Sequence, residues 1–192
     1  ICCGKIEPMF KQKIVALDEK ITDALRLKES AGKVRSLAIF FAHSGDSWFI
    51  LLALFVVWLL TFKPRVFWHY NMAEMAYSTI ALAVVVLIIK FSIKRQRPEG
   101  DWGAIYRKSD PHSFPSGHAA RVTMLAVLAI LLGPAWFAVL LALWAPLVSL
   151  ARVAMGVHYF SDILAGFVLG IAAAFGFHAL TPLVARWLPF LF

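Results

Sequence analysis

The stretch VTMLAVLAILLGPAWFAVLLALWAPLVSLA, Val122 to Ala151, contains no charged side chain and is far too long for a single helix crossing a bilayer. Gly133-Pro134 falls near its middle, and a Gly-Pro pair interrupts regular structure, so the stretch reads as a hairpin of two spanning helices. A hairpin of that kind makes the chain a membrane protein with several spans.

Working outward, three more uncharged runs flank the hairpin. Ser47 to Phe62 lies between Asp46 and Lys63, with Trp48 and Trp58 toward its ends. Met72 to Ile89 carries only Glu74 and closes at Lys90, and Ile163 to Ala185 contains Gly166 and Gly170, the small-xxx-small spacing that lets helices approach closely. Pro182 and Pro189 are expected to end regular structure there, leaving an interfacial tail. Upstream, Ile14, Leu17, Ile21 and Leu25 recur at helical spacing while Asp18, Glu19, Lys20, Asp23 and Arg26 fill the other face. That pattern predicts an amphipathic helix lying on the membrane surface or packing on the bundle. The short apolar patch Leu37 to Ala42 is read as interfacial, since it is too short to span. The expected fold is all-α: a polytopic membrane helix bundle of about five to six transmembrane helices with an N-terminal amphipathic helix. Residues 1–46 form the amphipathic and interfacial region, and 47–192 the transmembrane domain.

Composition agrees. Of 192 residues, 61% are hydrophobic and only 16% charged, with a mean hydropathy of +0.76, which excludes the ordinary soluble class. The net charge of +8 comes from Lys and Arg set between apolar runs and not along a polar domain, so acidic lipid head groups or a phosphorylated substrate are expected partners and nucleic acid is not. Cys2 and Cys3 are adjacent near the terminus, so they offer no disulfide framework and no Cys-rich metal site; they are acylation sites or a plain terminal pair.

The polar chemistry gathers in the connections. The segment from Lys90 to Arg121 holds seven basic residues, and Arg152 to Asp162 is short and polar at both ends. Two spans separate these connections, so both emerge on one side of the membrane and can build one site. Singly, Lys90 reads as a snorkelling helix-end lysine, Arg97 and Arg152 as flanking positives, His118 as a helix-start residue and His158 as an interfacial ring. Glu99 and Asp110 read as solvated loop charges. Jointly they say more. His158 and Asp162 stand four apart, which on a helix puts them on one face with the carboxylate accepting from the imidazole and fixing its tautomer. Arg97 and Arg152 offer planar forks for phosphate oxygens, Lys90 a point charge, and Ser116 with the Gly117 N–H neutral donors. Two imidazoles and three cations without a metal-ligand set point to phosphoryl transfer with no metal and no cofactor.

The ordered pattern Lys90-x6-Arg97-Pro98, Pro115-Ser116-Gly117-His118 and Arg152-x5-His158-x3-Asp162 resembles the three-part signature of the type 2 phosphatidic acid phosphatase (PAP2) superfamily of membrane lipid phosphatases. The resemblance covers residues 45–178. It implies that His158 is the nucleophile forming a phosphohistidine, that Asp162 orients it, and that His118 protonates the leaving group and later activates water. It also implies that Lys90, Arg97, Ser116, Gly117 and Arg152 hold the phosphoryl oxygens. The expected substrates are phosphatidate, phosphatidylglycerol phosphate or a prenyl diphosphate such as undecaprenyl diphosphate, in a bacterial or archaeal cell membrane.

Two departures stand out. The family usually has a serine before the arginine of the third part, where this chain has Ala151; Ser149 substitutes for it or the hydroxyl is dispensable. Many members have six spans, against five counted here, and the chain opens at Ile1, which leaves room for an upstream span. Lys and Arg number sixteen on the catalytic side against three, Lys63, Arg65 and Arg186, on the other. The positive-inside rule thus points the site at the cytoplasm. Bacterial relatives usually face it outward, and both directions stay open. The rival readings are a small transporter or binding protein for phosphorylated anions, for which an ordered imidazole would be unnecessary, and a vanadate-binding haloperoxidase, against which the apolar spans argue.

Overall fold

The structure is a computed structural model describing residues 6–61, 67–99 and 110–192. The calls on Cys2, Cys3, Lys63 and Arg65, and on Arg107 and Lys108, lie outside the described residues. Among these there are seven α-helices: α1 (Ile6–Leu25), α2 (Gly32–Ser44), α3 (Ser47–Leu60), α4 (Phe67–Ile93), α5 (Gly117–Leu132), α6 (Ala135–Ala154) and α7 (Phe160–Trp187). The regular β content of the described residues is one isolated antiparallel bridge, Gln96 with His112.

Among the described residues, three helices are long and apolar enough to cross a membrane: α4, α6 and α7. A fourth crossing forms if α2 and α3, which meet at a bend of 59°, act as one broken span. The patch Leu37–Ala42 is therefore part of a helix joined to α3, and α3, at 14 residues, is too short to cross alone. The predicted hairpin is present, with α5 ending at Leu132, Gly133 and Pro134 in extended conformation, and α6 starting at Ala135. The outer surfaces of α4, α6 and α7 are greasy, with Ile80, Ile88, Leu143 and Val168 well exposed, as hydrocarbon-facing helices require.

Pro182 does not end α7, which continues to Trp187. A proline removes backbone hydrogen bonding one turn upstream, and in lipid the released carbonyls need other donors. The Phe177 carbonyl, one residue before the His178 carbonyl that Pro182 leaves without its N–H, accepts from the hydroxyls of Tyr77 and Thr181, the latter at 3.0 Å, so side-chain donors gather at the turn the proline disturbs.

Gly166 and Gly170 set the closest contact of the bundle, that of α7 with α5. A Cβ on Gly170 would stand 2.4 Å from the Ala120 carbonyl oxygen, and one on Gly166 2.8 Å from the Ala119 Cβ. The approach lets the Ser116 N–H donate to the Asp162 carbonyl at 3.1 Å, tying the start of α5 to the start of α7. Gly170→Leu is expected to cost about 3 kcal/mol, the upper end for overpacking against backbone, and to lower the unfolding midpoint of the detergent-solubilised protein.

Helix α1 is oriented with its greasy side outward. Ile14 and Leu17 are more than half exposed, whereas Asp18 and Thr22 are buried against the bundle. Its side-chain hydrogen bonds to the rest of the chain run through Asp18 and Thr22.

Candidate active site

The two polar connections converge on the same end of the bundle. Lys90 lies in the last turn of α4, and Arg97 follows in the connection to α5. Ser116 is the N-cap of α5, so Gly117 is its first helical residue and His118 its second. Arg152 lies in the last turn of α6, which is ended by Gly156 at φ +66°, a left-handed conformation that favours glycine. The Val157 N–H then donates back to the Arg152 carbonyl and the Gly156 N–H to that of Val153, so the chain reverses and delivers His158 beneath Arg152.

Lys90, Arg97, Gly117, His118, Arg152 and His158 line one cavity of about 340 Å³, with Asp110 and Arg121 also in its wall. The side chains of Lys90, Arg97, Arg152 and His158 are nearly or fully buried, a costly arrangement for cations at a membrane boundary unless an anion is their purpose.

His158 and Asp162 meet, though not through a shared helix. His158 precedes α7, Tyr159 is the N-cap and Asp162 the third helical residue. The Asp162 carboxylate accepts the Tyr159 N–H at 2.9 Å, as an acidic residue at this position does in a capping box, and its other oxygen accepts from Arg95 Nη1 at 2.8 Å. His158 Nδ1 stands 3.5 Å from Asp162 Oδ2, while Nε2 faces Arg97 Nη1 at 3.3 Å inside the cavity. A guanidinium N–H pointed at Nε2 suits the tautomer protonated on Nδ1. Burial, then the charges of Arg97, Arg152 and Lys90, hold the His158 pKa well below the ordinary 6.5. This favours the neutral imidazole, with its Nε2 lone pair turned toward Arg97.

Asp110 is not a solvated loop charge. Its carboxylate accepts from Lys90 Nζ and, at 2.8 Å, from Arg97 Nη2, while Arg97 Nε donates to the Asp110 carbonyl at 2.7 Å. Burial works to raise its pKa, but Lys90 and Arg97 outweigh it, so the carboxyl stays below the ordinary carboxylate range. A carboxylate of the chain itself, partly exposed, thus sits on two cations of the set expected to hold phosphate.

In the same cavity lining, His118 Nε2 is 2.7 Å from Asp46 Oδ1, and Asp46 Oδ2 is 3.1 Å from His43 Nδ1. Gly45 makes this possible, because a Cβ there would come within 2.6 Å of Val148 and 3.3 Å of the His118 ring. Arg121 Nη1 donates to the Gly45 carbonyl at 2.8 Å and holds the bend in place. Ser116 is fully buried and its hydroxyl accepts from the Ala119 N–H at 3.4 Å as a helix cap, so it is turned away from the cavity lining. Ser149 donates to the Ala145 carbonyl of its own helix at 2.7 Å, and Ala151 packs against Ala38 and Ala42, so the third-part position without a serine is an apolar contact.

Sequence reading missed Asp46, Arg95 and Asp18 as members of this neighbourhood. Asp46 marks the break between two apolar segments, and Arg95 stands two residues before Arg97, but neither position names its partner.

Residues 71–186, more than half of the chain, match the family model described as the PAP2 superfamily. The chain belongs to the PAP2 superfamily. Among curated PAP2 relatives, an undecaprenyl-diphosphatase of Sulfolobus acidocaldarius is 35% identical over 100 residues, 48% of each chain. A decaprenylphosphoryl-5-phosphoribose phosphatase of Mycobacterium tuberculosis is 38% identical over 92 residues, 47% of this chain and 50% of that one. The chain spans about half the length of the curated relatives it matches. The crystal structure of a transmembrane PAP2 type phosphatidylglycerolphosphate phosphatase from Bacillus subtilis superposes with a TM-score of 0.71 at 23% identity, covering 91% of this chain and 89% of that one. LpxE of Aquifex aeolicus superposes with a TM-score of 0.65 at 19% identity, covering 85% and 95%. At these identities the likeness is one of fold, and with the apolar helices it makes the PAP2 chain an integral membrane protein of helical build.

Proposed function

We propose that this PAP2 protein is a membrane lipid phosphatase that removes phosphate from a lipid phosphate or diphosphate through a phosphohistidine, without a metal. The observation that carries the reading is the cavity lined together by Lys90, Arg97, His118, Arg152 and His158, in which His158 stands next to Asp162 and turns Nε2 toward Arg97. His158 Nε2 attacks phosphorus, the bond from phosphorus to the lipid oxygen breaks, and His118 gives that oxygen its proton. Water then attacks the phosphorus of phosphohistidine, His118 takes the water proton, and the N–P bond breaks to release inorganic phosphate. Asp162 accepts from Nδ1–H as positive charge develops on the ring. The three cations and the Gly117 N–H stabilise the charge on the equatorial oxygens, each well-placed donor contributing about 3 kcal/mol. The substrate phosphate displaces the Asp110 carboxylate from Lys90 and Arg97. Ser116 serves by holding the start of α5 and, through its hydroxyl, the phosphoryl group once that cap loosens.

The lipid part of the reading draws on an apolar cavity of about 640 Å³ between α2, α3, α4, α5 and α6, lined by Phe40, Ile50, Leu54, Met75, Leu125 and Trp144. His43 and Ser44 line it too, which sets it beside the Asp46–His118 pair. Both curated relatives are named for polyprenyl-linked phosphates, which favours a prenyl diphosphate as substrate. The protein crosses a bacterial or archaeal cell membrane about five to six times. In this reading α1 rests on the membrane surface, residues 1–46 form an interfacial region and 47–192 the catalytic domain.

The test is inorganic phosphate release by the purified protein from undecaprenyl diphosphate, phosphatidylglycerol phosphate and phosphatidate, with His158→Ala as blank. Release from at least one substrate, unchanged by EDTA because Lys90, Arg97 and Arg152 supply the neutralising charge, is the expected result. Binding of these lipids without phosphate release would favour a carrier instead. The pH profile gives a second check. Because kcat/KM reports the free enzyme, and burial with neighbouring cations depresses the His158 pKa, the acid limb is expected below the ordinary imidazole value of 6.5. Arg97→Gln removes one of those cations and is expected to move the limb upward.

A further inference from the structure

The catalytic neighbourhood does not stop at the family signature. Arg95 donates through Nη1 to Asp162 Oδ1 at 2.8 Å and through Nη2 to Asp18 Oδ2 at 2.7 Å, so one guanidinium joins the carboxylate behind His158 to a carboxylate on α1. Its Cζ lies 4.0 Å from the ring centroid of Tyr159, the residue that follows His158. Asp18 in turn caps the start of α7, accepting the Ser161 N–H at 2.9 Å and the Ser161 hydroxyl at 2.5 Å. Thr22, one turn along α1, accepts the Phe160 N–H at 3.0 Å, and the Leu27 N–H donates to the Ala154 carbonyl at 2.9 Å. Two free N–H groups at the N-terminus of the helix bearing Asp162 are therefore satisfied from α1, a helix that lies outside the stretch matched to the family.

We infer that Asp18 is a positioning residue for phosphoryl transfer: by holding Arg95 on Asp162 it fixes the carboxylate against which His158 is oriented, and makes α1 part of the working site. The reasoning is electrostatic and geometric. Asp162 is fully buried and Arg95 is its cationic partner, yet the Arg95 side chain keeps 26% of its surface exposed; Nη1 also donates to the Ser161 hydroxyl at 2.7 Å, so Asp18 is what holds the other arm of the fork, Nη2. A planar fork between two carboxylates has one orientation. His158 already sits at 3.5 Å from Asp162, a distance at which a small displacement decides whether Nδ1 is held.

This inference rests on the phosphatase reading, and the experiment separates the two. Full-length wild type, His158→Ala, Asp18→Asn, Arg95→Gln and the Asp18→Asn/Arg95→Gln double variant are assayed in detergent for phosphate release from farnesyl diphosphate and for inhibition by orthovanadate, a transition-state analogue. Asparagine keeps an oxygen for the Ser161 N–H but loses the charge that holds Arg95. Asp18→Asn is expected to lower kcat about tenfold, with KM unchanged within about twofold and vanadate binding weakened by the same factor as kcat. In the Arg95→Gln background the same change is expected to cost less than about twofold, since it acts through Arg95. Arg95→Lys, which keeps the charge but cannot bridge two carboxylates, reads out the same link if the Asp18 variant folds poorly. Wild-type kcat in Asp18→Asn or in Arg95→Lys, an equal loss from Asp18→Asn in the wild-type and Arg95→Gln backgrounds, or a drop in thermal stability alone overturns the inference while leaving the phosphatase reading intact. Absence of phosphate release by wild type, or equal release by His158→Ala, overturns the phosphatase reading and this inference with it.

Discussion

His158→Ala is expected to reduce phosphate release from the best lipid substrate by about 10⁴-fold or more, the size of effect seen when a covalent nucleophile is removed from a site that otherwise stays assembled. The cations should still gather, because Lys90 and Arg97 are held by Asp110, and Arg97 also by the Val157 carbonyl at 2.7 Å. Substrate binding is therefore expected to survive, so the loss falls on kcat and not on KM. Rapid quenching of the wild type with labelled substrate should yield an acid-labile, base-stable phosphoprotein that the variant lacks. Phosphate release by His158→Ala at a wild-type rate would remove the nucleophile assignment.

The second large effect concerns His118. His118→Ala is expected to slow release from phosphatidate by about 10³-fold, within the range for a positioned general acid, because an alkoxide leaving from glycerol needs the proton. Formation of the phosphoenzyme from p-nitrophenyl phosphate, whose phenolate leaves unaided, should be nearly spared. Its hydrolysis should then lag for want of a base, giving a burst of p-nitrophenol followed by a slow phase. Equal losses in phosphoenzyme formation from the two substrates would contradict the assignment. The Asp46 carboxylate at 2.7 Å and the Gly45 backbone beside the ring explain how a histidine at a helix start is held in one orientation.

Much of this was legible before any coordinates. The hairpin at Gly133-Pro134 followed from the length of hydrocarbon a helix can cross, and the Gly166 and Gly170 contact from spacing alone. The grouping of Lys90, Arg97, His118, Arg152 and His158 followed from counting spans between two polar connections. Other readings failed where the deciding partner is distant in sequence. Pro182 looked like a terminator, since the Tyr77 hydroxyl that bonds this turn of the helix is on another helix. Asp110 looked solvated, though Lys90 twenty residues away takes its carboxylate. The pair of His158 and Asp162 was placed on one helix by spacing, whereas a left-handed Gly156 and a capping aspartate bring them together instead.

The sequence by itself determined that this is a helical membrane chain with Lys90, Arg97, His118, Arg152 and His158 at one end of the bundle, because hydrophobic run length and residue order are local properties that lipid reads directly. Only the tertiary structure decided which charge meets which. Asp110 on Lys90 and Arg97, Asp46 on His118, and Asp18 through Arg95 on Asp162 depend on how α1, the bend between α2 and α3, and the start of α7 pack. Electrostatic partners are chosen by distance in space, to which separation along the chain gives no guide.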